Sequence, residues 1–318
     1  MKVGVIGIGH LGRYHTLKYA QIPEVDLVGV TDVDKKRAHE VASECWCKPF
    51  DNIDSLLDNV EAVSIAVPTD HHFKVAQQAL RRGKHCLIEK PITSTVEEAD
   101  TLIQLAKEKN AVLHVGHIER FNPAMQALNN FPLQPQFIES HRLAPFDPRG
   151  TEVAVVLDLM IHDIDVILNM VQYPVVSIDA KGVSVVSNSV DIASARIQFK
   201  NNCVANLTAS RISQKKMRKM RLFQKDTYIS VDFLNKLTEI YQLEKIPAGL
   251  QVVNEIGVGD KKRQISYQCP EIPREDGLHS EIIAFFHAVQ GKPSSGVTGE
   301  EGREALSVAL QIVQHTED

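Results

Sequence analysis

No apolar run in this chain approaches the ~20 residues needed to cross a bilayer, which sets membrane-spanning proteins aside. Cysteine is sparse: Cys45, Cys47, Cys86, Cys203 and Cys269 are odd in number and show no disulfide framework. Cys45 and Cys47 flank Trp46 with no second ligand pair nearby, so they read as buried thiols rather than half of a metal site. Basic excess is missing too. The 35 Lys and Arg stand against 40 Asp and Glu, a net charge of −5, and aromatics make up only 6% of the residues. A nucleic-acid or anionic-lipid partner would need a positive field with interleaved aromatics, and neither is present. There is no internal repeat and no low-complexity segment. The chain enters a strand at Met1-Lys2-Val3 without a signal peptide, which predicts a cytoplasmic protein with reduced thiols.

What is present is the composition of a globular protein, 43% hydrophobic and 24% charged over 318 residues, a length that suits two domains. The first third alternates strand and helix. Apolar strands are expected at Lys2–Ile6, Val25–Thr31, Ala62–Val67, Cys86–Glu89 and Val112–Gly116, with helices between them. Nearly all-apolar strands separated by helices predict a doubly wound parallel sheet covered on both faces. After His117 the strands alternate polar and apolar residues, as at Val183–Val186, Ala193–Phe199, Cys203–Ser210 and Met220–Phe223, and turns such as Lys200-Asn201-Asn202 separate them. That pattern predicts a mainly antiparallel sheet. Helices are expected over Val155–Val171, Ser280–Val289 and Glu300–Thr316. The expected domains are residues 1–117 and 118–318.

Gly7-Ile8-Gly9-His10-Leu11-Gly12 follows the first strand and opens a helix. Asp32 ends the next strand, twenty positions after Gly12. In that setting Gly7 permits a tight turn, Gly9 lets backbone approach a pyrophosphate, and Gly12 allows close helix–strand packing, so a dinucleotide site is predicted. The Asp32 carboxylate can accept from ribose hydroxyls and repels a 2′-phosphate, which favours NAD over NADP. Lys35, Lys36 and Arg37 just beyond can serve a phosphate or form an exposed helical turn.

Two further segments carry chemistry. Glu89-Lys90-Pro91 ends a strand at the carboxyl edge of the predicted sheet, where open α/β sheets bind ligands, so Lys90 is a candidate catalytic residue. The helix Val155–Val171 is apolar almost all round, yet Asp158, His162, Asp165 and Asn169 fall on one narrow stripe. Such a stripe faces satisfied partners or a wet cavity, and an Asp and a His one turn apart suit acid–base work. D-x₃-H spacing can also hold a metal, but hydride chemistry with a lysine needs none.

With Gly7-x-Gly9-x-x-Gly12, Val67-Pro68-Thr69 with His72, Glu89-Lys90-Pro91 and Asp158-x₃-His162-x₂-Asp165 occurring in order, the chain resembles the glucose–fructose oxidoreductase/inositol dehydrogenase family (Gfo/Idh/MocA) over essentially its whole length. The resemblance implies a Rossmann domain, then an α+β domain with a large open sheet that forms oligomer contacts, and a homodimer or homotetramer. It implies cofactor contacts from Gly7, Gly9, His10, Leu11, Gly12, Asp32, Pro68, Thr69, His72, Glu89 and Lys90. It also implies catalysis by Lys90, Asp158 and His162 on a small-molecule sugar or nucleotide-sugar substrate. One departure is Met160, where the family often has Gly between the Asp and the His; the larger side chain narrows the space above the helix.

The stretches Gly116–Pro123, His141–Phe146 and Leu157–Asp163 are similar to a subgroup that oxidises the 3-hydroxyl of UDP-N-acetylglucosamine. On that reading Arg120 and Arg142, with Asn122 and Asp165, are substrate-binding, the two guanidinium forks suiting a diphosphate. The run Lys215 to Arg221 reads as a solvated strand edge. Competing readings are a dehydrogenase or reductase of another small cyclic compound (a free sugar, a cyclitol or a bilin) and a non-catalytic NAD-binding sensor. The joint presence of Lys90, Asp158 and His162 argues against the sensor.

Overall fold

The structure, a computed structural model, describes residues 1–147, 153–244, 251–256, 263–274 and 276–317. The chain divides into two compact units: residues 1–118 with 277–307, and residues 119–276 with the C-terminal end from Val308.

The first unit holds a six-stranded parallel sheet. Its strands are β1 (Lys2–Ile6), β2 (Asp26–Thr31), β3 (Lys48–Pro49), β4 (Ala62–Ile65), β5 (His85–Glu89) and β6 (Leu113–Gly116), in the order β3-β2-β1-β4-β5-β6. Helices α1 (His10–Tyr19), α2 (Lys35–Glu44), α3 (Ile53–Leu57), α4 (Thr69–Arg81) and α5 (Val96–Glu108) connect them. All four residues of β4 are buried, as are Val3 to Ile6 of β1 and Cys86 to Ile88 of β5, because helices cover both faces. The order reverses between β1 and β4. At that switch point neighbouring connections leave on opposite faces, so a crevice opens at the carboxyl ends of the strands.

The second unit contains a short helix α6 (Pro123–Gln126), strand β7 (Phe137–Leu143), helix α7 (Ile161–Val171), and strands β8 (Val175–Val183), β9 (Ile192–Phe199), β10 (Val204–Ser210), β11 (Met217–Gln224), β12 (Thr227–Asp232), β13 (Leu237–Glu244), β14 (Gln251–Ile256) and β15 (Arg263–Gln268). They form one nine-stranded sheet, β14-β15-β13-β12-β11-β7-β10-β9-β8. Every neighbouring pair is antiparallel except β7 and β10, which run parallel. Alternation places one side of each strand in the core: Ala193, Ala195, Ile197 and Phe199 of β9 are buried while Ser194, Arg196 and Gln198 are exposed.

Three elements differ from expectation for physical reasons. The predicted helix Val155–Val171 is not uniform: Val156–Met160 form a π turn, with i→i+5 hydrogen bonds, that leads into α7. The predicted strand Val183–Val186 ends where it was to begin. The Asp191 carboxylate takes the N–H groups of Val185, Val186 and Ser187 at 2.8, 2.6 and 2.9 Å, curling the chain out of the sheet. The second domain does not run unbroken to the C-terminus. Helix α8 (Gly277–Val289) returns to the first unit and buries Leu278, Ile282, Phe285 and Phe286 in the core that holds Val3, Val5, Ile8 and Tyr19. Each such side chain contributes about 1.5–3 kcal/mol when fully buried. After it, Val297 accepts from the Val115 N–H at 2.9 Å and Thr298 bridges to His114, covering the open edge of β6. Helix α9 (Gly299–Glu317) closes the chain. No helix among the described residues is long and apolar enough to cross a membrane.

Candidate active site

In the turn from β1 into α1, Gly7 and Gly12 leave no room for a larger residue. Gly7 sits at φ +87°, and a Cβ there would lie 2.8 Å from the Ala66 backbone at the exit of β4. A Cβ on Gly12 would lie 1.8 Å from the Gly7 carbonyl oxygen. A Cβ on Gly9 would meet nothing within 4 Å, so open space lies directly over the start of α1. Asp34, Asn52 and Thr95 cap α2, α3 and α5 with their side chains, whereas α1 begins at Gly9 without a side-chain cap. Its first-turn amides and dipole therefore suit an anion, and the open space above Gly9 fits a pyrophosphate. His10 and Leu11 are exposed beside it.

Asp32 is tied to this turn. Its Oδ2 accepts the Ile8 N–H at 2.5 Å and its Oδ1 accepts the Asp34 N–H at 2.8 Å. Each oxygen retains acceptor capacity for a ribose hydroxyl. The basic trio beyond is otherwise engaged. Lys35 donates to the carbonyls of Asp32 and Asp51, Arg37 pairs with Asp34 at 3.3 Å, and Lys36 lies exposed near Glu40 at 3.9 Å. Of the two sequence readings for these residues, the exposed helical turn describes them.

At the exit of β5, Glu89 is largely buried and Lys90 half-buried. Glu89 Oε1 lies 2.9 Å from His15 Nε2, His15 Nδ1 lies 3.1 Å from Ser64 Oγ, and Ser64 Oγ lies 2.8 Å from the Tyr19 hydroxyl. His15, Ser64 and Tyr19 are at most 1% exposed. Burial pushes the Glu89 carboxyl up, but the His15 hydrogen bond and the positive charge around the carboxylate outweigh it and hold the group below its ordinary range. His72, expected at the cofactor, is 1% exposed. Its Nδ1 lies 2.8 Å from the Pro91 carbonyl and its Nε2 2.9 Å from that of Val67, so it ties the exits of β4 and β5 together; burial lowers its pKa. Exposed Pro68 and half-buried Thr69 open α4 at the same sheet edge. Thus Gly7, Gly9, Gly12, Asp32, Pro68, Thr69, Glu89 and Lys90 gather at the carboxyl ends of β1, β2, β4 and β5.

In the second unit the predicted polar stripe divides. Asp158, within the π turn, and His162, just after it, are both half-buried. Asp165 and Asn169 are occupied by Arg120, which grips Asp165 with Nε and Nη2 at 2.8 and 2.7 Å and reaches Asn169 at 3.3 Å. Arg142 is 2% exposed. It donates from Nε and Nη2 to Asp163 at 3.0 and 2.8 Å and from Nη1 to Glu119 at 2.8 Å, and its ring neighbour is Phe233 at 5.9 Å. Asn122 donates to Glu119 at 2.9 Å and to the Phe233 carbonyl at 3.2 Å, while its Oδ1 caps α6 at the Ala124 N–H. These arginines hold the fold of this unit. A substrate diphosphate can reach Arg142 only by displacing a buried carboxylate, which is a correction to its expected role.

Sequence reasoning missed the His15–Ser64–Tyr19 chain and the partners Asp163 and Glu119. One signal was available for the first: His15 and Tyr19 lie four apart on the inward face of α1. Among the described residues no group of three or more His, Cys, Asp or Glu is placed to hold a metal. Burial pushes the Cys45 thiol up and that of Cys47 to about 12, which disfavours the thiolates a metal needs.

Comparison with known proteins gives a consistent result. Residues 1–117 match the model of an oxidoreductase family with an NAD-binding Rossmann fold, and residues 134–229 match the GFO/IDH/MocA C-terminal domain. The chain is 43% identical over 314 residues to UDP-N-acetylglucosamine 3-dehydrogenase from Acidithiobacillus ferrooxidans, covering 98% of this chain and 96% of that one. A solved structure of that enzyme, GnnA, superposes with a TM-score of 0.91 at 42% identity, covering 100% and 97% of the two chains. Myo-inositol 2-dehydrogenase from Thermotoga maritima is 23% identical over 337 residues, covering 100% and 97%.

Proposed function

The chain belongs to the GFO/IDH/MocA family of oxidoreductases, with an NAD-binding Rossmann domain, and from that premise we propose that it is an NAD-dependent dehydrogenase that oxidises the 3-hydroxyl of a UDP-N-acetylhexosamine. The observation that carries the substrate is the 43% identity, over nearly the whole of both chains, to an enzyme named for that reaction.

NAD supplies the hydride acceptor when bound. The α1 N-terminus and the space over Gly9 would take its pyrophosphate, and Asp32 its adenosine ribose. Lys90 presents a cation to the hydroxyl being oxidised, which favours the developing alkoxide. His162 accepts the hydroxyl proton, and Asp158 orients the sugar or the imidazole. Incubation with NAD and a panel of UDP-sugars should show reduced cofactor by absorbance. Mass spectrometry should show a product about two mass units lighter, formed only with NAD present. Turnover of a free sugar or cyclitol with no UDP-hexosamine active would replace the substrate reading and leave the family unchanged.

We infer further that the protein is a homo-oligomer built on the open face of the nine-stranded sheet. Phe137, Phe223, Tyr228, Tyr241 and Tyr267 form a row across β7, β11, β12, β13 and β15 on that face, with successive ring centroids 5.1–5.7 Å apart. A continuous aromatic row on a half-exposed sheet face suits a self-complementary contact. Light scattering should give a dimer or tetramer at micromolar concentration, and Tyr228→Glu should shift it toward the 35.4 kDa monomer. A wild-type monomer would refute the inference.

A further inference from the structure

The buried chain behind Lys90 has a direction. The Glu89 carboxyl is held below its ordinary range, and a carboxylate only accepts, so on the 2.9 Å bond between them His15 Nε2 is the donor. In a neutral ring Nδ1 then accepts from the Ser64 hydroxyl at 3.1 Å, and Ser64 Oγ accepts from the Tyr19 hydroxyl at 2.8 Å. Each group donates to the next, and the sequence ends on a carboxylate whose other oxygen accepts the backbone N–H of Lys90 at 3.3 Å. The charged or titratable groups around this carboxylate are His15 from α1, Lys90 beside it and His72 from α4, with Glu281 of α8 beyond Tyr19. Volume alone does not explain the arrangement. A residue that only packs at this position of α1 needs no hydrogen bond at either nitrogen, yet both nitrogens of His15 are used, and Ser64 and Tyr19 fix which one bears the proton.

We propose that His15 is a positioning residue for the reaction: through a tautomer set by Ser64 and Tyr19, it keeps Glu89 charged against the Lys90 backbone and so fixes the anchor and the local charge of the Lys90 side chain. This rests on the reading of Lys90 as a residue of the reacting site. The role needs a donor at Nε2 rather than an imidazole as such. Glutamine, with an amide N–H at similar reach, should substitute; leucine, of similar bulk, should not. The sign of the effect follows. Without the donor the buried carboxyl rises, and the anion exists only above its midpoint. His15→Leu should therefore lose turnover as pH falls through the raised Glu89 midpoint, while keeping its KM for NAD.

Carboxyl ¹³C resonances of the protein without cofactor give a readout independent of activity, with the Glu89 signal assigned by Glu89→Gln. Wild type and His15→Gln should hold Glu89 ionised to below the ordinary glutamate range. His15→Leu should raise its midpoint by roughly one pH unit or more, and turnover should gain a second acid step at that midpoint, falling about a further tenfold per unit below it. Ser64→Ala keeps the test available should His15→Leu not fold: ring ¹⁵N signals of His15 should then show mixed tautomers and Glu89 should rise partway. An unmoved Glu89 midpoint in His15→Leu, or a pure Nε2–H tautomer with unmoved Glu89 in Ser64→Ala, overturns the proposal. If Glu89 rises and the turnover profile stays put, the activity of Lys90→Met separates the two ideas. A fully active Lys90→Met removes Lys90 from the reaction, whereas an inactive one leaves Lys90 in place and refutes the positioning role.

Discussion

Arg142→Met should destabilise the protein by about 3–5 kcal/mol, the range for removing one partner of a buried ion pair. The methionine conserves much of the volume, so the loss is electrostatic. Asp163 and Glu119 are each at most 5% exposed, and both lose their shared guanidinium. Glu119 keeps Asn122 at 2.9 Å and half-exposed Arg218 at 3.4 Å. Asp163 loses both of its contacts to Arg142 and should carry most of the penalty. Urea unfolding followed by circular dichroism should show the midpoint fall with an unchanged slope. A triple variant, Arg142→Met with Asp163→Leu and Glu119→Gln, should recover much of the loss, because it removes the stranded charge rather than the cation alone. A single variant within 1 kcal/mol of wild type would show that water reaches the cluster and that its burial is not maintained in solution. The same experiment bears on function. If Arg142 were a diphosphate ligand rather than a strut, the variant would unfold normally and its KM for a nucleotide sugar would rise by itself.

How much of this was legible in the sequence depends on the range of the interactions. The glycine turn, Asp32 and the strand–helix alternation were readable because their constraints are local: a turn at φ +87°, a helix start, a strand covered on both faces. The exit of β5 was readable as a place, since Glu89-Lys90-Pro91 ends an apolar run. Its internal partners were not, because His15 and Ser64 lie 74 and 25 positions away from Glu89 and meet it only through the parallel order β1-β4-β5. The stripe over Val155–Val171 was read with a uniform helical period. The π turn Val156–Met160 that precedes α7 and two arginines from outside the helix decided which of its polar groups were already satisfied. Periodicity identifies the face of a helix but not which guanidinium lies against it. Strands β12 to β15 were missed for a related reason: their pairing is set by neighbours across the sheet, and their aromatic positions matter as a row across strands rather than within any one of them.

Lys90→Met should fold normally, retain NAD affinity and lose at least about a hundredfold in turnover, the lower range for an acid–base or charge-stabilising group. The fold should tolerate it. Lys90 is half-buried, and the Glu89 carboxylate keeps two supports that do not involve the lysine side chain, the His15 donor and the backbone N–H of residue 90. Cofactor affinity should survive because the glycine turn, the α1 N-terminus and Asp32 lie on other elements. His162→Asn supplies the contrast. If His162 accepts the hydroxyl proton, its loss should be steepest at low and neutral pH and shrink at high pH, where hydroxide or bulk base substitutes; Lys90→Met supplies no such recovery, since hydroxide brings no cation to the alkoxide. Pre-steady-state absorbance of the reduced cofactor measures both variants on the chemical step itself. A Lys90→Met enzyme with near-normal turnover would remove the lysine from the reaction. A His162→Asn enzyme whose loss is the same at every pH would reassign the histidine from proton acceptor to substrate contact.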